Sequence, residues 1–296
     1  MERALPQDSA GAGRQAPRRK TKARLAFFKA VEHTCRLLGG RHFYRSQFLK
    51  AGRFHERVEE LHVPGLPAGL EGFTIAHLSD MHAGSFLAQG DLADVVQRVN
   101  ELQVDAVALT GDYITDHPRE ALLLTEDLGR LRSRFGSFAV FGNHDYRDRR
   151  EAEIVRAYGD IGIRFLRNRG ERLDTGRGVL AITGVEDLEE AKVIHCEAAR
   201  ADLRADDVEV LLCHNPAGAE AFARPACVAV LSGHTHGRQI DLPWLRNLGP
   251  HHPGLRRQFG QTTSIVSRGL GVIGVPFRYG SPAELVLVKL KRAEAN

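Results

Sequence analysis

Five short polar clusters, each placed directly after an apolar run, constrain this chain more than any other feature. They are Asp80-Met81-His82, Gly111-Asp112, Gly142-Asn143-His144-Asp145, Cys213-His214-Asn215 and Gly233-His234-Thr235-His236-Gly237. The runs before them read as strands: Phe73 to Ser79, Ala106 to Leu109, Ser137 to Phe141, Val208 to Cys213 and Val228 to Leu231. Short apolar runs bounded by turn formers suit strands buried on both faces. Helical patterns lie between several of them. Leu92, Val95, Val96, Val99 and Leu102 share one face of a helix over Asp91 to Leu102, Pro118 opens another, and Glu151 to Ile161 reads as a third. Further strands are expected at Val179 to Thr183, Thr263 to Ser267 and Glu284 to Leu290. Strands alternating with helices predict an α/β domain whose ligand-binding residues gather at one sheet edge.

The chemistry of the clusters is uniform. Side chains alternate along an extended chain, so Asp80 and His82, and likewise His234 and His236, can face one side. Carboxylate, imidazole and amide oxygen together suit hard or borderline divalent ions. The neighbouring glycines permit sharp turns and close backbone approach.

The ordered set D-x-H, GD, GNHD, H and GHTH resembles the calcineurin-like metallophosphoesterase superfamily over roughly residues 60–292. The resemblance implies a β-sandwich flanked by helices, in four layers αββα, with two metals above the strand ends. It assigns Asp80, His82 and His236 to the first metal, Asn143, His214 and His234 to the second, and Asp112 to both. His144 matches the family's catalytic histidine. The implied chemistry is hydrolysis of a phosphodiester or pyrophosphate bond by a hydroxide shared between two divalent ions (Mn, Fe or Zn), with Asn143 also touching the substrate. Some relatives place an acid three residues after the bridging aspartate to orient the histidine. That position is Thr115 here, which makes Asp145 the candidate outer partner of His144, its other reading being a turn or helix cap. The stretch Ser267-Arg268-Gly269-Leu270-Gly271, with Pro276-Phe277-Arg278, resembles a bacterial membrane-associated subfamily in which some relatives hydrolyse UDP-2,3-diacylglucosamine.

Charge divides the chain. Residues 1–59 hold 14 Lys+Arg and 5 Asp+Glu, a balance of +9, whereas the remainder sums to −5. Two units are therefore expected: a basic arm over 1–60, disordered in its first twenty residues, and the phosphoesterase domain over 61–296. A helix is expected from Lys22 to Leu38, with Leu25, Phe28, Val31, Cys35 and Leu38 at helical spacing. Basic and apolar residues together point to an anionic membrane surface as the partner of residues 22–57, ahead of nucleic acid or a plain solubilising tail. No apolar stretch reaches the length of a membrane span or a secretory h-region, and the four cysteines form no paired motif. The expected location is the cytoplasm, peripheral on the inner face of the membrane.

Arg256 and Arg257, in the loop expected after the last histidine pair, are candidate substrate contacts, with Trp244 and Phe259 beside them. His77 is expected to be a core histidine, and His117, His251 and His252 to be solvated. The competing functions are a nucleic-acid or nucleotide phosphodiesterase and, in another class, a non-catalytic metal-bound binding module.

Overall fold

Parallel strands that are apolar on both faces need a cover on each side, and the computed structural model supplies a second sheet on one side and helices on the other. It describes residues 22–191, 194–245 and 250–294. Among these residues the first sheet is built from β1 (His55–Val63), β2 (Thr74–Leu78), β3 (Ala106–Leu109), β4 (Ser137–Ala139) and β5 (Ile163–Phe165). The second holds β6 (Arg169–Asp174), β7 (Val179–Gly184), β8 (Val208–Leu212), β9 (Cys227–Ser232), β10 (Arg256–Phe259) and β11 (Thr262–Val266). The final strand, β12 (Glu284–Arg292), returns to the first sheet between β1 and β2. Strands β2 to β5 run parallel, as do β7, β8, β9 and β11. The carboxyl ends of each set therefore share one edge.

Period-two alternation assigns each strand's residues to layers. Ile75, Ala106, Ala108 and Phe138 of the first sheet meet Leu180, Ile182, Val210, Leu212 and Leu231 of the second in one apolar core. The alternate residues Ala76, Leu78, Val107 and Leu109 face helices α3 (Ala93–Glu101) and α4 (Glu151–Gly159) through Val95, Val96, Val99, Ile154 and Tyr158. Beyond the second sheet, Leu211 and Val230 pack with Ala199 and Phe222, on one-turn helices at Cys196–Ala199 and Ala219–Phe222. The order helix, sheet, sheet, helix is the expected αββα layering.

The N-terminal region departs from the expected arm. Helix α1 (Lys22–Leu37) forms where expected, and α2 (Gly40–Tyr44) leads into a π turn at Arg45–Leu49. Tyr44, Leu49 and Phe54 are then buried in the same core as α3 and α4. Strand β1 crosses the boundary expected at residue 60 and pairs in parallel with β12 along its whole length. Its pattern is a half-buried edge strand, with Glu59, Leu61 and Val63 inward and charged residues outward, so its sequence reads as a polar tail. Strand β5 is only three residues long, and β6 and β10 were hidden in polar sequence, so Arg256-Arg257 sits on a strand instead of a loop. The first twenty residues, expected to be disordered, lie outside the described residues.

Candidate metal centre

The five polar clusters converge on the carboxyl edge shared by the two sheets, and the turns that bring them there are strained. Asp80, His82, Asp112, His234 and His236 all have positive φ, between 46° and 70°, where residues other than glycine are uncommon. Backbone bonds hold these turns against one another. Asp80 N–H donates to Gly111 O at 3.0 Å and His82 N–H to Asp112 O at 2.9 Å. His234 N–H donates to Asp80 Oδ1 at 2.8 Å, which ties the second sheet to the first. Two glycines are required by contact: a Cβ on Gly142 would lie 2.3 Å from Asp112 Oδ1, and one on Gly233 2.0 Å from Ser79 Oγ.

Asp112 occupies the middle. Its Oδ2 lies 3.4 Å from His82 Nε2 and 3.3 Å from His214 Nε2. His82 Nε2 is also 3.0 Å from His236 Nε2, which lies 3.5 Å from Asp80 Oδ1. Asn143 Oδ1 is 3.0 Å from His234 Nδ1. The ligand atoms of Asp80, His82 and His236 lie within 4.8 Å of one another, as do those of Asp80, Asp112 and His214 and those of His82, Asp112 and His144. Burial opposes ionisation of Asp112, yet the charges of His214 and His144 hold it well below the usual carboxylate range.

The residues fit divalent ions on a test internal to the structure. Asp80 Oδ2 and His214 Nε2 are buried polar atoms without a hydrogen-bond partner. Such atoms are costly in a folded interior and are kept where they serve a ligand or the chemistry. Two imidazole nitrogens at 3.0 Å, each also near a carboxylate, suit a shared cation better than a proton alone. Carboxylate, imidazole and amide donors match Mn, Fe or Zn.

The partner of His144 differs from the expectation. Its Nδ1 lies 2.8 Å from the Thr115 carbonyl oxygen, which accepts the ring proton, and its backbone N–H donates to Asp112 Oδ1 at 2.8 Å. A main-chain carbonyl thus stands where some relatives use an acid. Burial lowers the His144 pKa to about 4, against the opposing pull of Asp112. Asp145 does not touch the ring. Fully buried, it accepts from the amides of Gly142, Asp112 and Tyr113 at 2.8 Å each and of Ile114 at 3.3 Å. Asp145 is the cap of the turn that carries Asp112.

Arg256 and Arg257 are not brought to the cluster by any contact the structure describes. Arg256 donates to Glu59 Oε2 at 2.7 Å across the sheets, and Arg257 stacks over Phe259 at 4.9 Å. Trp244 is exposed. His77 is a core residue as expected, with Nε2 2.8 Å from Thr110 Oγ1. His117 and His251 are exposed as expected, His117 also capping a helical turn through Nδ1, whereas His252 is half-buried with Nδ1 2.9 Å from Thr235 Oγ1.

Three neighbours of the site went unread in the sequence. Glu189 reaches His234, its Oε1 lying 3.4 Å from Nε2. Arg147 pairs with Asp116, next to Thr115. Arg278 is buried and donates to Tyr44 Oη at 3.0 Å and to the carbonyls of His236, Ser281 and Gly271. Glu189 and Arg147 come from polar loops with no periodicity. Arg278 stood in the stretch Pro276-Phe277-Arg278 but carried no sign that it would be buried.

A two-sheet sandwich with imidazole and carboxylate donors at the common strand edge defines a protein built around a candidate metal centre. The chain belongs to the calcineurin-like phosphoesterase family, whose model matches residues 73–238. It is 31% identical over 252 residues to a Danio rerio protein named Transmembrane protein with metallophosphoesterase domain, covering 79% of this chain and 56% of that one. It is 29% identical to the Bacillus subtilis (strain 168) protein named Uncharacterized metallophosphoesterase YkuE, over 76% of this chain and 82% of the relative. An Aquifex aeolicus (strain VF5) protein named Uncharacterized metallophosphoesterase is 29% identical over 86% of this chain and 97% of its own length. The chain spans about half the length of the Danio rerio relative. Among the described residues, no helix is long and apolar enough to cross a membrane.

Proposed function

We propose that this chain is a metal-dependent phosphohydrolase that cleaves a phosphodiester or pyrophosphate bond at the Asp112 centre. The observation that carries the reading is the position of Asp112 Oδ2, within 3.4 Å of an imidazole from each ligand set. Asp80, His82 and His236 would hold one ion and Asn143, His214 and His234 the other, with Asp112 common to both. Bound there, the ions would supply a nucleophile at neutral pH and neutralise charge on the phosphoryl oxygens. Thr115 fixes the Nδ1 proton of His144, which leaves Nε2 for the substrate. Opposite charge favours protonation, so a phosphoryl anion beside Nε2 raises the low pKa of this ring and lets it donate to the leaving oxygen. The presence of every donor together with His144 favours hydrolysis over a binding module.

The preference for a diester or pyrophosphate rests on the cations. No Lys or Arg follows Asp112 until Arg119, and the nearby Arg147 is already engaged by Asp116. A monoester dianion would therefore lack the forked donor that best binds it. The ratio of kcat/KM for bis-(p-nitrophenyl) phosphate to that for p-nitrophenyl phosphate, with one metal, tests this. A ratio well below one refutes it.

A lipid-linked substrate such as UDP-2,3-diacylglucosamine, met at an anionic membrane surface, is the finer proposal. Phe27, Phe28, Leu37, Leu38 and Phe43 are exposed beside Lys29, Arg36 and Arg41, the mixture that an interfacial segment carries. Deletion up to His62 would remove most of β1, so point substitutions make the better test. Replacing Phe27, Phe28, Leu37 and Leu38 with serine should reduce salt-sensitive sedimentation with anionic vesicles, and equal sedimentation would remove the membrane role.

A further inference from the structure

The histidines of the centre differ in how their second ring nitrogen is used. His214 spends Nδ1 on the Thr110 carbonyl at 2.6 Å, and His144 spends Nδ1 on that of Thr115, so each turns Nε2 to the cluster. His234 is reversed. Its Nδ1 faces Asn143 Oδ1 at 3.0 Å, and its Nε2 faces the Glu189 carboxylate at 3.4 Å. Glu189 is itself held. Asn215 Nδ2 donates to its Oε1 at 3.0 Å, and its backbone N–H donates to Asp187 Oδ1 at 2.9 Å. Asp187 also accepts from Glu190 N–H at 3.0 Å, which closes the loop after β7 into a fixed turn. Its side chain is buried at the base of that turn.

We infer that Glu189 is a positioning residue for the second ion: its carboxylate accepts the Nε2 proton of His234 and so presents the Nδ1 lone pair to the metal alongside Asn143. A neutral imidazole carries one proton, and the hydrogen bond at one nitrogen decides which nitrogen is free to ligate. At His234, whose backbone is strained at φ 70°, Glu189 stands where His214 and His144 have a main-chain carbonyl behind the ring. A carboxylate behind a ligating imidazole also raises the basicity of the ligand nitrogen, and loss of such a partner typically costs 10–100-fold in metal affinity. This inference rests on the two-ion reading above.

The test counts ions and leaves activity aside. Metal-free full-length protein is titrated with Mn²⁺, free Mn²⁺ being followed by electron paramagnetic resonance. Wild type should take up two ions. Glu189→Ala should bind one of them about 10–100-fold more weakly and the other unchanged. Glu189→Gln, whose amide oxygen can still accept from Nε2, should recover part of the loss. The side chain of Glu189 is half exposed, so neither variant leaves a buried hole. Unchanged uptake by Glu189→Ala, equal weakening of both ions, or no recovery in Glu189→Gln would overturn the inference while the two-ion reading stands. Wild type that takes up fewer than two ions would overturn that reading and this inference with it.

Discussion

Asp145→Asn isolates what the buried cap does, because it changes one atom and almost no volume. The carboxylate receives four amides: Gly142 and Asp112 on Oδ2, Tyr113 and Ile114 on Oδ1. An asparagine keeps one acceptor oxygen and turns the other into an NH₂ donor that faces two N–H donors. The cheaper orientation sacrifices the Oδ1 side, where the Ile114 bond is already long at 3.3 Å. Two buried amides then lose their partner at about 1–3 kcal/mol each. Some relaxation of the turn brings the expected loss to about 3 kcal/mol. For a chain of 296 residues that corresponds to a fall in Tm of roughly 5 °C. Differential scanning calorimetry with a chelator present reads the effect apart from metal binding. A fall of less than 2 °C would refute the reasoning, because the turn would then hold Asp112 without its cap.

Asp112→Asn should cost more activity than any single change at Asp80, His82, Asn143, His214, His234 or His236, since its Oδ2 lies within 3.4 Å of an imidazole from each proposed set; normal turnover with both ions retained would exclude the shared role. His144→Asn should keep the metal content and slow turnover by about 10²–10⁴; loss of an ion, read by elemental analysis, would make His144 a ligand. Burial, aided by Arg57, lowers the His77 pKa to about 3, against about 6.5 in an unfolded chain. Below pH 6.5 the unfolded state binds a proton that the folded state refuses, so the contribution is present above 6.5 and lost towards pH 3 at about 1.4 kcal/mol per unit. His77→Gln should therefore flatten the acid limb of a stability–pH curve, and an unchanged limb would show that His77 is protonated in the fold.

The candidate metal donors were legible before the fold because two signals coincide at each: an apolar run long enough for a strand, and a chelating side chain at its carboxyl end. Ala106 to Leu109 followed by Gly111-Asp112 shows the logic, and β3 occupies those four residues. Parallel strands place all such ends on one edge, so local pattern and global position agree. The same holds for α3, whose apolar stripe at Val95, Val96 and Val99 is buried as the spacing requires.

Other features were decided only by tertiary structure. The partner of His144 is a carbonyl, a group every residue carries, so nothing at Thr115 could announce it. Strand β1 exists because β12, some 230 positions away, offers it a parallel edge, and its charged outward face hides the pattern. Glu189 lies in an acidic loop with no period and meets His234 only when the ends of β7 and β9 come together. Sequence by itself determined what depends on neighbours along the chain: strand, helix, turn and the chemistry at each strand end. The fold decided what depends on neighbours in space: which nitrogen of each histidine is left free, which carboxylate caps a turn, and which basic residues are occupied.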